Sequence, residues 1–584
     1  MSLATHRIDQ KPTRWLNRKP AFIGLAAFLL VLSLPATATS FADAVYVNAQ
    51  VYTVDENNMW ADSFAIKDGK FVAVGSRNSV ASMASTATPV IDLKKRMVMP
   101  GIHDTHLHSA VAGELMQLQC YFRTNDLAEV KKILRECAAK AAPGEWIRGG
   151  QWTMALFEPG VTPKKLLDEI VPDNPVFLMD WSWHNGWVNS KALKRLSIGR
   201  ETPDPKGGVI VRDEATGETT GILMDNATYS VMRGLPAYAT AQRASALEWS
   251  LNFIAQFGVT TVKEAIVTRE IAEAFTELSR RGGLPVRVNT AMTWKIPVAR
   301  SHEDEIALLA EHERFATNRV STGFAKIMLD GVPIPPKFTA AMLEPYLPNE
   351  NLKEGWRGEL IFDPETLNAD VGRLHGQGFS IKIHSTGDRA VRAALDAFEQ
   401  ARASGKHLDT IHEVSHAELI HPDDIPRFAE LNVAAEMCPI LWHPIHGLDW
   451  AAWIGPERTV WPVRNLVESG ALVTYGSDWS VVPTPNPWPG IEAMVTRADP
   501  YTNGSETLSA EQAVDLATTI RIFTLNGAHA NGAGATSGSI EVGKDADFIV
   551  LDRNIFEVPI TDVSETGIVF SAVGGIPVVN TLEQ

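Results

Sequence analysis

Cysteine is scarce in this 584-residue chain: Cys120, Cys137 and Cys438 are the three present, and no two of them stand as Cys-x-x-Cys. A structural zinc knuckle is thereby excluded. In an oxidising compartment Cys120 and Cys137 can pair, leaving Cys438 as a buried free thiol. Positive charge is short as well. The 53 Lys and Arg against 69 Asp and Glu give a net charge of −16. Such a surface argues against a nucleic-acid partner, whose phosphates require basic patches. Beyond the N-terminus no apolar run is long enough to span a bilayer. No Gly-x-Gly-x-x-Gly turn follows an early strand, which removes the dinucleotide fingerprint.

What is present begins with an address. Arg14, Arg18 and Lys19 precede an apolar run from Ala21 to Leu34, and small-x-small sites follow at Ala36–Ala38 and Ser40–Ala42. That is the layout of a cleaved secretory signal over residues 1–42, with a mature start near Thr39 or Asp43 and a periplasmic or secreted product. Removing five Lys/Arg and one Asp with it leaves −20. The remainder, 45% hydrophobic and 21% charged over the whole chain, has the composition of a soluble globular protein, off the membrane once the signal is cleaved.

Residues 43–98 read as short strands, with a turn at Asn48-Ala49-Gln50 and a hairpin signal at Asp68-Gly69-Lys70. Residues 535–584 have the same texture, so one small β-sandwich built from both chain ends is expected. Between them, over 99–534, buried strand-like runs alternate with helical periodicity. Eight such runs, ending near His108, Glu264, Met292, Leu329, His384, His416, Cys438 and Asp478, predict an α/β (β/α)8 TIM-like barrel. An open doubly wound sheet is the alternative. Residues 109–245 exceed an ordinary βα connection and read as an inserted lid subdomain. It contains Trp146, Trp152, Trp181, Trp183 and Trp187, which lean toward a small-molecule substrate with an apolar or aromatic group.

In such a barrel the C-terminal strand ends converge on one mouth. His106 and His108, two apart on one strand, face the same way. Lys326, His384, His416 and Asp478 end later strands. Each alone reads as an ordinary polar residue, but six at the same end of their strands form a ligand set. Imidazole and carboxylate together suit zinc, and a site with bound water gives hydrolysis. Glu264 ends the second strand, where its carboxylate also reaches toward the site. His412 is a lesser candidate, four residues before His416. His302 and His312 read as solvated on a charged helix, and His443 and His446 follow the seventh strand without further support.

Pro100–His108, Gly258–Val262, Phe324–Gly331, His384–Ala390, His412–Ala417, Gly476–Trp479 and Gly543–Phe548 together resemble the signatures of the metal-dependent amidohydrolase superfamily. Within it, the chain is similar to the amidohydrolase family 3 branch, which includes N-substituted formamide deformylases. The likeness covers nearly the whole mature chain; it specifies the superfamily and leaves the substrate and the oligomeric state open, a homo-oligomer included. It implies a centre of two Zn2+ ions or other divalent metals. His106, His108 and Asp478 would hold one and His384 and His416 the other, with carboxylated Lys326 between them. It further implies cleavage of an amide-type C–N bond, N-acyl or N-formyl, by a metal-activated hydroxide, with Asp478 as catalytic acid and base. His184, in His184–Ser190, is similar to a family motif and would be a catalytic electrophile or substrate clamp. Ester, lactone or phosphoester hydrolysis is the rival chemistry. A non-catalytic binding or regulatory protein is the rival class, and the intact ligand set argues against it.

Overall fold

The computed structural model describes residues 41–158, 160–296, 298–334, 338–348, 352, 354–442, 450–502 and 507–582. The segment read as a signal lies outside the described residues through residue 40, as do His443 and His446. Phe41–Gln584 forms one compact unit. Among the described residues no helix is long and apolar enough to cross a membrane.

Eight parallel strands make the central sheet: β1 (Ile102–Leu107), β2 (Val259–Val267), β3 (Arg287–Thr293), β4 (Val320–Met328), β5 (Ser380–Ser385), β6 (His412–His416), β7 (Val433–Met437) and β8 (Leu472–Tyr475). They neighbour one another in chain order, and the sheet comes round on itself between β8 and β1. There Thr105 Oγ1 donates to the Tyr475 carbonyl at 2.8 Å and the Asp478 N–H to the His106 carbonyl at 2.8 Å. Helices including Thr240–Ala255, Arg269–Arg280, Pro364–Gly376 and Asp388–Arg402 cover the outside. Strands buried on both faces need no polar alternation, which is why runs such as Val433-Ala434-Ala435 stood out. The expected (β/α)8 architecture is present as a nearly closed barrel.

Both chain ends build the sandwich. Ala44–Val47 pairs with Ser63–Lys67 and Val90–Asp92 in one sheet. Met97–Pro100 pairs with Gln50–Tyr52 and with the C-terminal Phe548–Leu551 in the other. Tyr46, Phe64, Phe548 and Phe570 share the core between the sheets. The Asn48-Ala49-Gln50 turn does not join partners within one sheet. Asn48 takes a φ of 55°, and the chain crosses there from one sheet to the other.

The insert after β1 carries a six-stranded mixed sheet running from Cys120–Tyr121 to Thr219–Asp225 in sequence. Cys120 and Cys137 are disulfide-bonded, tying its edge strand to the helix Leu127–Lys140. Cys438 is free and buried.

Candidate metal centre

The six ligand-type residues converge on the mouth. His106 Nε2 lies 3.7 Å and His108 Nε2 3.2 Å from Asp478 Oδ1. The ligand atoms of these three lie within 4.8 Å of one another, a separation that one coordinated ion can span. Asp478 Oδ1 is buried and takes no well-formed hydrogen bond. Asp478 itself sits at φ 57°, a turn that brings its carboxylate back toward β1. Gly476 lets β8 come this close, since a Cβ there would stand 2.6 Å from His106 Cβ and 2.9 Å from Glu436 Oε1.

His416 arrives by a local reversal. Glu413 and Ser415 of β6 point into the barrel, Glu413 toward Lys382 Nζ at 2.9 Å and Ser415 toward Lys326 Nζ at 3.3 Å. Strict alternation would turn His416 outward. Left-handed backbone at His416 (φ 69°) and Ala417 (φ 41°) swings the ring into the mouth instead. Its centroid then lies 4.7 Å from that of His106 and 4.6 Å from that of His384. His384 Nε2 donates to the Gly331 carbonyl at 3.0 Å, which leaves Nδ1 as its free electron pair. Burial holds His384 near a pKa of about 3 and His416 well below the ordinary value. The rings are therefore neutral, the ligand form. Lys326 is buried with no carboxylate in ion-pair reach among the described residues, and burial, followed by the Lys382 charge, lowers it to about 8.

Three readings from sequence change. His412 does not face the site: its Nδ1 accepts from Ile381 N–H at 3.1 Å, its Nε2 donates to His375 Nδ1 at 3.0 Å, and its ring stacks on Phe398. Glu264 is taken up by a helix start, accepting from Ser109 N–H at 2.9 Å and Ser109 Oγ at 2.5 Å; burial pushes it up to about 8. His302 and His312 are half-buried and hydrogen-bonded, to Glu305 and Thr322.

The sequence reading missed what lies beneath the ligands. His106 Nδ1 meets Glu436 Oε2 at 2.6 Å, and Glu436 Oε2 meets Lys382 Nζ at 2.7 Å. Lys382 pairs with Glu413, which pairs with Lys263. All five side chains are at most 1% exposed. A barrel interior ordinarily filled by aliphatic layers holds here a chain of alternating charge. Burial would raise Glu436, but the His106 ring and the Lys382 ammonium hold it well below the usual carboxylate range. Ionised Glu436 fixes the proton on His106 Nδ1 and leaves Nε2 for the mouth, the usual second partner of a metal-binding imidazole. The available signal was a charge within a buried run: Glu436 among Val433–Met437, and Lys382 two residues before His384.

Above the mouth opens a cavity of about 960 Å³, lined by the ligand set and by the lid. His184 lines it, with Nδ1 2.8 Å from Asp225 Oδ1. Trp181 and Trp183 line it too, whereas Trp152 and Trp187 are wholly buried in the lid's own core. The lid's tryptophans are thus divided between the cavity wall and the lid's core. Glu418 was also missed; it lines the cavity wall, and its buried Oε2 has no partner among the described residues.

A barrel whose mouth gathers imidazoles and a carboxylate within reach of one ion is the architecture of a metal-dependent hydrolase. Residues 89–579 match the model of the amidohydrolase family, and the chain belongs to that family. It is 28% identical over 556 residues to the N-substituted formamide deformylase of Arthrobacter pascens, covering 92% of this chain and 98% of that protein. It is likewise 28% identical to the protein LONG AFTER FAR-RED 3 of Arabidopsis thaliana, over 93% of this chain and 92% of that one. In fold it resembles an uncharacterized metal-dependent hydrolase from Pyrococcus horikoshii OT3. That match has a TM-score of 0.71 and 23% identity, and covers 88% of this chain and 99% of the other.

Proposed function

We propose that the protein is an exported hydrolase of an N-acyl or N-formyl C–N bond, working with two zinc ions. The observation that carries the reading is the meeting of His106, His108 and Asp478 within one ion's span, with Lys326, His384 and His416 opening on the same cavity. The donor set fits: neutral imidazoles, one carboxylate and a buried amine. His106, His108 and Asp478 would hold one ion and His384 and His416 the other, with carboxylated Lys326 as a further ligand. The likeness to a formamide deformylase supports the bond type, and the Cys120–Cys137 disulfide supports an oxidising compartment, periplasmic or extracellular.

Bound metal supplies an activated water and a Lewis acid for the scissile carbonyl. The chain's residues do the rest. Asp478 takes the water's proton on its carboxylate and delivers it to the leaving nitrogen. His184 offers Nε2 to the substrate from the lid side. Trp181 and Trp183 seat an apolar or aromatic group, with the lid shielding it from water.

The test is metal content of purified mature protein alongside turnover of matched N-formyl amines, N-acyl amines and aryl esters. Amide turnover with about two zinc per chain is expected. Turnover of esters alone, or none in metal-loaded protein, would refute the bond assignment.

A further inference from the structure

The lid carries a histidine–carboxylate pair of its own, built at a point of backbone strain. The strand Thr219–Asp225 runs into the helix Asn226–Gly234 through Asp225, whose φ of 47° and ψ of −121° lie where residues other than glycine rarely sit. That conformation gives Asp225 two hydrogen bonds to one residue. Its N–H donates to the His184 carbonyl at 2.7 Å, and its Oδ1 accepts from His184 Nδ1 at 2.8 Å.

The far side is prepared as well. Trp183 has a φ of 63°, and Asp180 pins the turn by accepting from the N–H groups of His184 at 3.1 Å and Asn185 at 3.0 Å. Tyr229, one helical turn after Asp225, places its hydroxyl 3.4 Å from His184 Nδ1. No hydrogen bond engages His184 Nε2 among the described residues, and the ring lines the cavity above the ligand set.

We propose that Asp225 is a positioning residue that acts through His184, fixing the ring with Nδ1 protonated and Nε2 aimed at the substrate's carbonyl or leaving nitrogen. The proposal rests on the reading above, in which His184 touches substrate. The groups facing the ring are Asp225, Asp180, Asp330, Tyr229 and His384. Burial by itself would lower the ring's pKa. The Asp225 hydrogen bond and the surrounding carboxylates outweigh that and raise it above the ordinary histidine value, so the imidazolium, with Nδ1–H held by Asp225 and Nε2–H free to donate, persists to higher pH.

The experiment uses metal-loaded mature protein and the variants H184Q, D225N, D225G and H184Q/D225N. D225N and D225G should lose about 10²-fold in kcat, the low end of acid–base effects, with unchanged metal content and little change in KM. D225G, which frees the strained backbone, should melt no lower than wild type while losing activity. In D225N the alkaline limb of kcat should move to lower pH, because the raised His184 pKa falls when the charge is removed. H184Q/D225N should lose no more than H184Q alone. Additive losses, or near-normal kcat in D225N, would overturn the proposal. A readout independent of turnover is the 15N spectrum of the His184 ring, assigned by its loss in H184Q. Above the ring's pKa the Nδ1-protonated tautomer in wild type, lost in D225G, is the expected result, with both nitrogens protonated below it; the Nε2-protonated tautomer in wild type would sink the idea even if no substrate is hydrolysed. If the tautomer holds and no substrate turns over, the functional reading fails and the pair stands.

Discussion

Two histidines in this molecule are held by carboxylates, in opposite surroundings. His106 and Glu436 meet at 2.6 Å between two barrel strands, almost wholly excluded from solvent, and the pair continues into Lys382, Glu413 and Lys263. His184 and Asp225 meet at 2.8 Å at the lid's edge, 13% and 25% exposed, and the neighbour beyond them is the uncharged Tyr229 hydroxyl. The same chemical pair therefore does two jobs. In the barrel each charge needs its neighbour, because an unpaired buried ion is costly, and the ring is held with Nδ1 on Glu436 and Nε2 toward the mouth. In the lid the carboxylate is partly solvated, so its removal changes the ring's proton affinity more than the fold.

The comparison is broken most sharply by taking the charge from each carboxylate in turn. Glu436→Gln leaves Lys382 and Lys263 to share the Glu413 carboxylate, one buried positive charge in excess. Unfolding of the metal-free protein in denaturant should show a loss of ~3–5 kcal/mol, against less than ~1 kcal/mol for Asp225→Asn. Similar losses in the two variants would mean that the buried chain of charges is not what holds the barrel interior.

The ligands separate next. His106→Ala removes a residue that takes no part in proton transfer, so metal and activity should vanish together in elemental analysis and assay. Asp478→Asn should keep the fold and at least one metal yet lose ~10²–10⁴-fold in rate. Near-normal turnover would reduce Asp478 to a turn residue.

Smaller effects lie away from the mouth. Replacing Cys120 and Cys137 by Ser opens a link between residues 17 apart, for which chain entropy predicts ~3 kcal/mol. The loss should fall on the lid: earlier melting and a raised KM, with metal content intact. Least of all, His412→Gln breaks its bonds to His375 and Ile381 on the outer face of β6 and should cost ~1–2 kcal/mol. Its kcat should be unchanged; a fall comparable with that of a His416 variant would place both on the same face after all.

Much of this was legible in the chain itself. Runs buried on both faces, spaced by helical periodicity, dictate parallel strands under helices, because only that layering covers both sides of such a sheet. His106 and His108 share a face because a strand repeats every two residues, and Lys326 and His384 lie near strand ends where the barrel's geometry makes them converge, whereas Asp478 lies in the turn after β8. Local sequence could not assign the members of a pair drawn from different strands. Glu264 and Glu436 are both acids in buried strands; one caps the helix at Ser109 and the other anchors His106, a choice made only when closure of the barrel sets β2 beside β1 and brings the interior face of β7 within reach of it. His412 and His416 are four apart and would share a face on a regular strand. The left-handed turn at His416 and Ala417 parts them, and its cost is met by contacts across the mouth. Asp225, forty-one residues from His184, is joined to it by strand pairing in the lid. Residue type and period determined which groups were present and which way most of them faced. Their partners were decided by closure of the barrel and folding of the lid, because a carboxylate's role depends on the charge or N–H group placed against it, and those come from distant parts of the chain.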